Sequence, residues 1–177
     1  RNEAIHLNEL TTSLLEFARD SSRRMALTDM QSMLFETIRL SEPRIKEKGI
    51  RLSKDYSELP EANVDAVRLQ RALLNVILNA VEATANSGEI SISAGTGNGW
   101  LYIAIADSGE GIPIDLRDKI FNPFFTTKKD GTGLGLSLAH KIISEHHGSI
   151  ELESRSGKGS KFTIRLPLKA EYLRSMC

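Results

Sequence analysis

The stretch GTGLGLSLAHKIISEHHG, residues 131–148, begins as a glycine-rich loop and continues as a helix. Gly131, Gly133 and Gly135 lack Cβ atoms, so the backbone there can come close to a ligand. Apolar residues then recur at helical spacing as far as Gly148, which predicts a helix. The N-terminus of a helix combines free N–H groups with the positive end of the helix dipole, which suits a phosphate. The stretch therefore predicts a phosphate-binding loop, with an ordinary glycine turn as the alternative.

The rest of the chain predicts one α+β domain around this stretch. One helix is expected from Asp29 to Gly49, with a kink at Pro43. A longer helix should run from an Asp65 cap to Gly88. Hairpin turns at TGNG and RSGKG, with helices between the strand pairs, favour a two-layer α/β sandwich whose mixed, mostly antiparallel sheet is covered on one face by helices. The expected strands are residues 50–56, 89–95, 100–107, 149–154 and 160–168.

Residues 1–25, RNEAIHLNELTTSLLEFARDSSRRM, predict a helix with a narrow apolar seam of the coiled-coil type. About two heptads cannot bury much area alone, so this helix needs a partner helix that the chain does not visibly contain. The alternative is a helix folded back on the main domain. The seam residues are Leu7, Leu10, Leu14 and Phe17.

Composition and charge exclude several classes of protein. Lys plus Arg number 23 and Asp plus Glu number 23, so the net charge of zero gives no overall electrostatic case for nucleic acid or an anionic membrane. The lone cysteine, Cys177, excludes an internal disulfide framework and a cysteine-based zinc site. No apolar run approaches the roughly 20 residues of a membrane span. The cysteine usage fits a reducing cytosol, so we expect a cytoplasmic location. Because the chain begins at Arg1 rather than Met, we also expect a fragment of a longer protein, in which anchoring segments could lie outside this chain.

Two amides on the longer predicted helix are candidate metal ligands. Asn75 and Asn79 are four residues apart and therefore share a face of an otherwise apolar helix. Such amides are costly to bury unless they have partners. Their partners are either nearby backbone groups or, through the amide oxygens, a hard cation that bridges phosphates, because Mg²⁺ prefers oxygen ligands.

A carboxylate follows an apolar strand in IAIADSGEGIP, residues 103–113. Asp107 at the strand end can accept a hydrogen bond from an exocyclic amine such as that of adenine, while Gly109 and Gly111 let the ring approach the backbone. The alternative is that Asp-x-Gly forms a common turn. The connection from residue 108 to 132, about 25 residues long, is a candidate functional loop.

Four segments, LLNVILNA, DSGEGIP, FNPFFTTK and GTGLGL, resemble in order and spacing the N, G1, F and G2 boxes of the catalytic ATP-binding domain of sensor histidine kinases. The resemblance covers roughly residues 50–168 and implies the Bergerat-type ATP-binding fold. The short spacing between FFTTK and GTGLGL is most similar to the nitrogen-regulation type, which has a short lid over the nucleotide. The implied domains are the end of the dimerisation and histidine-phosphotransfer hairpin (1–25), the catalytic ATP-binding domain (26–168) and a C-terminal tail (169–177).

The resemblance implies ATP and Mg²⁺ as ligands. Asn79, with Asn75 beside it, would hold the Mg²⁺ ion, and Lys128 could reach the γ-phosphate, although a lysine on a loop is often merely solvated. These three are the implied catalytic residues. The residues that would cradle the ATP phosphates at the helix N-terminus are Gly131, Thr132, Gly133, Leu134, Gly135 and Leu136.

The same resemblance implies a pocket for the base. Asp107 would accept the adenine amino group, and Gly109 and Gly111 would line the pocket. Ser160, in GKGSKF, is at the place of the family's Ser or Thr beside that aspartate. Phenylalanines would pack the lid, although an aromatic cluster is more often plain core. They are Phe121, Phe124 and Phe125.

Two features depart from the family's pattern. Position 82 is Glu, where many of these kinases have a basic residue near the phosphates, so the cation must come from elsewhere, with Lys128 as the first candidate. The family's phosphate-accepting histidine is followed by an acidic residue, whereas His6 is followed by Leu7. We therefore expect the chain to bind ATP without an acceptor of its own. The other histidines, for which capping or surface roles are expected, are His140, His146 and His147.

The implied reaction is in-line attack by an imidazole nitrogen on the γ-phosphorus. The implied partners are a histidine-bearing hairpin domain, dimeric in the full protein, and the receiver domain of a response regulator. Related gyrase-like, mismatch-repair and chaperone ATPases instead hydrolyse ATP, using a Glu at the position of Asn75, whose amide cannot take a proton. A serine kinase similar to the anti-sigma-factor kinases is disfavoured by the coiled-coil segment. A non-catalytic nucleotide sensor would need only the pocket.

Overall fold

A computed structural model of the chain describes residues 24–56, 58–128 and 131–168. Within these ranges, three helices and seven strands form an α+β domain. A short 3-10 turn, Ile114–Leu116, lies in the long connection that precedes the last helix. In chain order the helices and strands are β1 (Ala26–Asp29), α1 (Met30–Glu47), β2 (Arg51–Tyr56), β3 (Glu61–Val64), α2 (Ala66–Ala83), β4 (Glu89–Gly97), β5 (Trp100–Asp107), α3 (Gly135–Glu145), β6 (Ser149–Ser154) and β7 (Ser160–Pro167).

The main sheet has five strands in the order β2-β4-β5-β7-β6. β2 pairs with β4 in parallel, and the other three pairs are antiparallel. This arrangement confirms the predicted mixed, mostly antiparallel sheet and both predicted hairpins. The sequence analysis missed β1 and β3, which pair with each other in a separate two-stranded sheet. Both have only four residues, too few for a clear alternation of apolar and polar positions.

One face of the main sheet forms the core. Ile92, Ile105 and Phe162 lie in register on three adjacent strands, and all three are fully buried. Burial of each such side chain stabilises the folded state by about 1.5–3 kcal/mol. The alternate residues of β4, β5 and β7 are exposed or half-buried. The helices therefore cover one face of the sheet, as predicted.

α2 begins directly after the predicted cap. Asp65 Oδ1 accepts a hydrogen bond from the N–H of Arg68 over 3.2 Å. The helix ends at Ala83 rather than near Gly88, because Thr84 has an extended backbone and donates its hydroxyl to Ala80 O over 2.7 Å. Lys48 then caps the C-terminal carbonyls, with Nζ 2.8 Å from Val81 O and 2.5 Å from Thr84 O.

α1 also begins at its predicted cap. Asp29 Oδ1 accepts hydrogen bonds from the N–H groups of Gln31 and Ser32, over 2.9 and 3.1 Å. Pro43 lies inside the helix, which ends two residues before Gly49.

The coiled-coil helix predicted for residues 1–25 lies outside the described residues, except for positions 24 and 25. The tail predicted for residues 169–177 lies outside them entirely. The predicted domain boundaries therefore stay predictions. In the part of the chain that the structure describes, no helix is both long and apolar enough to cross a membrane.

Candidate functional site

The glycine-rich loop ends where α3 begins, at Gly135, as the sequence predicted. Leu134 is buried and Leu136 is half-buried against the core, so these two residues can offer a ligand only their backbone. The first turn of an α-helix has N–H groups without intrahelical acceptors, at the positive end of the dipole. Asn75 Nδ2 donates a hydrogen bond to Gly135 O over 3.2 Å. This bond joins α2 to the N-terminal end of α3.

Packing of the loop itself already requires glycine. Gly133 has a φ of 67°, and a Cβ atom there would lie 2.7 Å from the carbonyl oxygen of Phe124. In return, Phe124 N donates a hydrogen bond to Gly133 O over 3.0 Å. A Cβ atom at Gly131 would lie 3.2 Å from Lys128 Cβ, and Thr132 Oγ1 accepts a hydrogen bond from Leu134 N over 3.3 Å. Packing therefore explains Gly131 and Gly133 whether or not phosphate binds, whereas a Cβ atom at Gly135 would meet only Asn75, at an ordinary 3.9 Å.

A cation from the chain lies on the predicted metal-binding face of α2. Lys128 Nζ is 3.0 Å from Asn79 Oδ1 and 2.6 Å from Glu82 Oε2. On the other side of the carboxylate, Arg44 of α1 approaches Glu82 Oε1 to 4.0 Å. The structure therefore brings Lys128 to Asn79, and it adds two partners, Glu82 and Arg44, that the sequence analysis did not assign. Arg44 belongs to another helix, and no pattern in the sequence indicates that it approaches α2.

The donor set on α2 fits a hard cation. The ammonium group of Lys128 already donates hydrogen bonds to Asn79 Oδ1 and Glu82 Oε2, so the local potential favours positive charge. Within the described ranges, no group of three or more His, Cys, Asp or Glu side chains could hold a metal by itself. A metal here would therefore need oxygen atoms from a ligand such as a triphosphate, which matches the preference of Mg²⁺ for phosphate oxygens and water.

The predicted base-binding carboxylate is largely buried at the end of β5. Asp107 is 8% exposed, and its Oδ1 accepts hydrogen bonds from Gly109 N over 2.8 Å and from Ser160 N over 3.3 Å. Burial raises the pKa of Asp107, while the two N–H groups and the nearby charge of Lys128 act in the opposite direction. A Cβ atom at Gly109 would lie 2.8 Å from Asp107 Oδ1, and one at Gly111 would clash with Arg155 O. Gly109 therefore packs closely against Asp107, whereas Gly111 packs against the β6–β7 turn.

Ser160 lies directly opposite Asp107 in the β5–β7 register. Its backbone N–H, rather than its hydroxyl, contacts the carboxylate. The hydroxyl lies 3.0 Å from Ser154 Oγ, which in turn accepts a hydrogen bond from Ile112 N over 2.7 Å. Ser154 thus fastens the segment after Asp107 to the β6–β7 hairpin. The sequence analysis missed Ser154, because nothing in SIELES distinguishes this serine from an ordinary residue at a strand end.

The three phenylalanines divide into two kinds. Phe121 and Phe125 are partly buried and pack against the core. Phe124 is 59% exposed and has a φ of 66°, a left-handed conformation that is unusual for an aromatic residue. The alternative of plain core therefore describes Phe121 and Phe125 but not Phe124.

His146 has the capping role expected from the sequence. It is buried, its Nε2 accepts a hydrogen bond from Asp65 N over 2.9 Å, and its Nδ1 lies 2.7 Å from Ile142 O. Both ring nitrogens are therefore used by a neutral imidazole that donates from Nδ1. Burial lowers the pKa of His146, although the contact to Ile142 O and the charge of Asp65 oppose this effect. His140 is exposed.

The chain is similar to known proteins in sequence and in fold. The family model described as histidine kinase-, DNA gyrase B-, and HSP90-like ATPase matches residues 64–170. Sensor histidine kinase ZraS of Escherichia coli (strain K12) is 38% identical over 167 residues, which cover 94% of this chain and 36% of ZraS. The nucleotide-free catalytic domain of histidine kinase ThkA has a TM-score of 0.76 at 34% identity, covering 84% of this chain and 98% of that domain.

Two larger solved structures are also similar. Full-length ShkA in complex with AMPPNP has a TM-score of 0.84 at 31% identity, covering 94% of this chain and 37% of ShkA. Histidine kinase ThkA in complex with response regulator protein TrrA has a TM-score of 0.82 at 30% identity, covering 96% of this chain and 49% of that one.

The chain therefore belongs to the histidine kinase-, DNA gyrase B- and HSP90-like ATPase family. Within this family it is a catalytic domain of the sensor histidine kinase type. The resemblance of the four sequence boxes and the expected fold are thus confirmed. The chain spans 36–37% of the length of the curated relatives that it matches first.

Proposed function

We propose that this chain binds ATP with Mg²⁺ and transfers the γ-phosphoryl group to a histidine on a separate hairpin domain. The hydrogen bond from Asn75 Nδ2 to Gly135 O carries the proposal, because it holds the proposed metal ligands of α2 beside the proposed phosphate loop. ShkA, a similar protein, has been solved with AMPPNP. This supports ATP as the ligand of the same fold here.

The base is recognised at Asp107. Oδ1 is engaged by the N–H groups of Gly109 and Ser160, which leaves Oδ2 to accept a hydrogen bond from the adenine amino group. Gly109 and Gly111 line the pocket. The backbone N–H groups of residues 131–136 bind the phosphates at the positive end of α3.

Asn79, with Asn75 beside it, would hold Mg²⁺ by an amide oxygen. When bound, the ion would supply positive charge that stabilises the transition state of phosphoryl transfer. Lys128, now 3.0 Å from Asn79 Oδ1, binds the γ-phosphate. Asn75, Asn79 and Lys128 are therefore the proposed catalytic residues.

In the reaction, a ring nitrogen of the acceptor histidine attacks the γ-phosphorus in line. The bond from that phosphorus to the bridging oxygen breaks, and ADP leaves. The chain contributes position and electrostatic stabilisation. Hydrolysis is disfavoured because Asn75, which donates its amide to Gly135 O, cannot take a proton from water.

The proposed partners are the dimeric histidine-bearing hairpin and the receiver domain of a response regulator. ThkA, to which this chain is similar, has been solved with response regulator protein TrrA, which supports the second partner. We assign residues 1–25 to the hairpin, 26–168 to the catalytic domain and 169–177 to a tail, and we place the domain in the cytoplasm.

The proposal is tested by incubating the chain with γ-labelled ATP, Mg²⁺ and a separately produced hairpin domain that bears the acceptor histidine. We expect acid-labile label on the hairpin, and none when its histidine is replaced by Gln. Asp107→Asn in the catalytic chain should reduce the labelling rate. Release of inorganic phosphate without transfer would identify a hydrolase instead, and acid-stable label on a partner's serine would identify a serine kinase.

A further inference from the structure

Lys128 Nζ lies between two oxygen atoms of α2, Asn79 Oδ1 at 3.0 Å and Glu82 Oε2 at 2.6 Å. Glu82 follows Asn79 by three residues, so both side chains project from the same face of the helix. Both partners of the ion pair are partly open to solvent, with 39% of the Lys128 side chain and 49% of the Glu82 side chain exposed. An ion pair of this kind is weak and breaks easily.

This arrangement conflicts with the role of Asn79 in the proposed function. Mg²⁺ carries two positive charges and binds its oxygen ligands directly, so at Asn79 Oδ1 it repels the ammonium group that now lies 3.0 Å from this oxygen. A metal-bound nucleotide therefore has to displace Lys128 from Asn79. The displaced ammonium group then needs another anion, and the nearest one supplied by the ligand is a phosphate.

Glu82 remains paired when Lys128 leaves. Arg44 NH1 already lies 4.0 Å from Glu82 Oε1, whereas Lys128 Nζ contacts the other oxygen, Oε2. The backbone at this point is also held, because Lys48 Nζ donates a hydrogen bond to Glu82 O over 3.2 Å. Glu82 can thus exchange one cation for another without moving its helix.

We propose that Glu82 is a positioning residue. Before the nucleotide binds, it holds Lys128 beside Asn79; when Mg²⁺ binds at Asn79, the pair with Glu82 breaks and Lys128 contacts the phosphates instead. This inference rests on the proposed function, and it assigns a role to the residue that departs from the family's pattern. Glu82 opposes nucleotide binding slightly, since its pair with Lys128 must be broken. In return, it holds the amine of Lys128 beside Asn79, at the proposed metal site.

The first test needs no nucleotide. We expect Glu82→Gln to raise the rate at which Lys128 is acetylated by an N-hydroxysuccinimide ester, followed by mass spectrometry, because the amine loses its carboxylate partner. Glu153→Gln is the matched control: it removes the same charge and breaks an exposed pair with Lys161, 3.0 Å long, on the β6–β7 hairpin. The control should leave the Lys128 rate unchanged. An unchanged rate in Glu82→Gln would overturn the proposed contact.

The second test measures ATP affinity in Mg²⁺ by calorimetry for the wild type, Glu82→Gln, Lys128→Met and the double variant. We expect Glu82→Gln to tighten binding about two- to fivefold, the scale of an exposed ion pair. In the Lys128→Met background the same change should have little effect, because no lysine remains to be displaced. This difference separates positioning from simple repulsion between Glu82 and the phosphates.

The outcomes are distinct. An equal gain in ATP affinity in the wild-type and Lys128→Met backgrounds would show that Glu82 only repels the phosphates. Weaker Mg²⁺-dependent ATP binding in Glu82→Gln would make Glu82 a metal ligand. Either result would overturn the proposed transfer of Lys128 from Glu82 to the phosphates. If the wild-type chain does not bind ATP, the proposed function fails, and the exchange fails with it even where the acetylation rate changes.

Discussion

Asn75 Nδ2 donates a hydrogen bond to Gly135 O over 3.2 Å, and through this bond α2 is fastened to the first residue of α3. The pairing matters because the two helices carry different parts of the site. α2 carries Asn79 and Glu82, whereas α3 begins at the glycine-rich loop. The amide therefore has a structural partner, and the distance between the proposed metal-binding face and the proposed phosphate loop is set within the folded chain.

We predict that Asn79→Ala weakens Mg²⁺-dependent ATP binding by about 1–3 kcal/mol, the cost of one lost ligand beside an unpaired polar site. Calorimetry in Mg²⁺ and in EDTA should show the loss only when the metal is present. Gln70→Ala, earlier on the same helix, serves as the control and should bind as the wild type does. Equal affinity with and without Mg²⁺ in both Asn79→Ala and the wild type would contradict the metal assignment.

Selection of adenine should depend on Asp107. In Asp107→Asn the side-chain oxygen can still accept the N–H groups of Gly109 and Ser160, so the fold should survive. The amide would instead present a donor to the adenine amino group, which is itself a donor. We expect weaker ATP binding and a smaller preference for ATP over GTP, measured by competition. Wild-type protein that binds both nucleotides equally would disprove the assignment.

Gly133→Ala should disrupt the phosphate loop. The new Cβ would meet the Phe124 backbone at a φ of 67°. Gly157→Ala is a matched control, because Gly157 has a φ of 74° but open space around a Cβ atom. Both variants carry the strain of a left-handed alanine, about 1–2 kcal/mol, but only Gly133→Ala adds the clash. We expect a larger loss of unfolding free energy and of ATP affinity in Gly133→Ala, and similar losses in both would refute the packing argument.

The free energy of unfolding should fall as the pH falls below about 6.5. Burial lowers the pKa of His146, so in this range the unfolded chain takes up a proton that the folded chain does not. Protonation would place an N–H at Nε2, where Asp65 N now donates. Asp65 also faces this ring. Burial raises the pKa of Asp65, but hydrogen bonds from the backbone N–H groups of Arg24 and Arg68 outweigh burial and leave the pKa of Asp65 below its usual value. The Asp65 contribution is therefore lost only below about pH 4.

Urea unfolding at pH 7.5 and 5.5 measures this loss, which we expect to be at most about 1.4 kcal/mol per pH unit for one proton. In His146→Gln the difference between the two pH values should shrink, because no proton is taken up at this position. His140→Gln, an exposed histidine on the same helix, is the control. A pH dependence that survives unchanged in His146→Gln would assign the effect to other groups.

How far the sequence could predict this molecule depends on the range of each interaction. The helix N-caps at Asp29 and Asp65 could be predicted from the sequence because a cap depends on only a few neighbouring residues. Helix periodicity and hairpin turns likewise act over a few residues, and they predicted the sheet. β1 and β3 were not predicted, since their pairing joins two short segments whose paired residues lie 32 to 38 positions apart in the sequence.

The site shows the same division. The order of the boxes predicted that Asn79, Asp107 and the loop after residue 130 would share one site. It could not predict that Lys128 contacts Glu82, that Arg44 approaches from α1, or that Ser160 engages Asp107 by its backbone. These contacts depend on how distant segments pack, and the types of the residues alone do not specify them.

The last prediction concerns the acceptor. The chain has four histidines, and none has the sequence context of a phosphate acceptor. His146 is buried with both ring nitrogens engaged, so it cannot attack a phosphorus atom without unfolding its surroundings. We therefore expect the isolated chain to bind ATP but to form no acid-labile phosphohistidine, and to dimerise weakly, since the seam predicted at Leu7, Leu10, Leu14 and Phe17 would require a partner helix.

Adding the helix that we expect to precede residue 1 should supply both the acceptor and the other half of the seam, and with them autophosphorylation. Incubation of both forms with γ-labelled ATP and Mg²⁺, followed by acid treatment, decides the question, and ultracentrifugation measures the accompanying change in dimerisation. A His146→Gln variant of the longer form should still be labelled, because the acceptor lies elsewhere. Stoichiometric acid-labile label on His6, His140, His146 or His147 of the isolated chain would show that the acceptor lies within these residues after all.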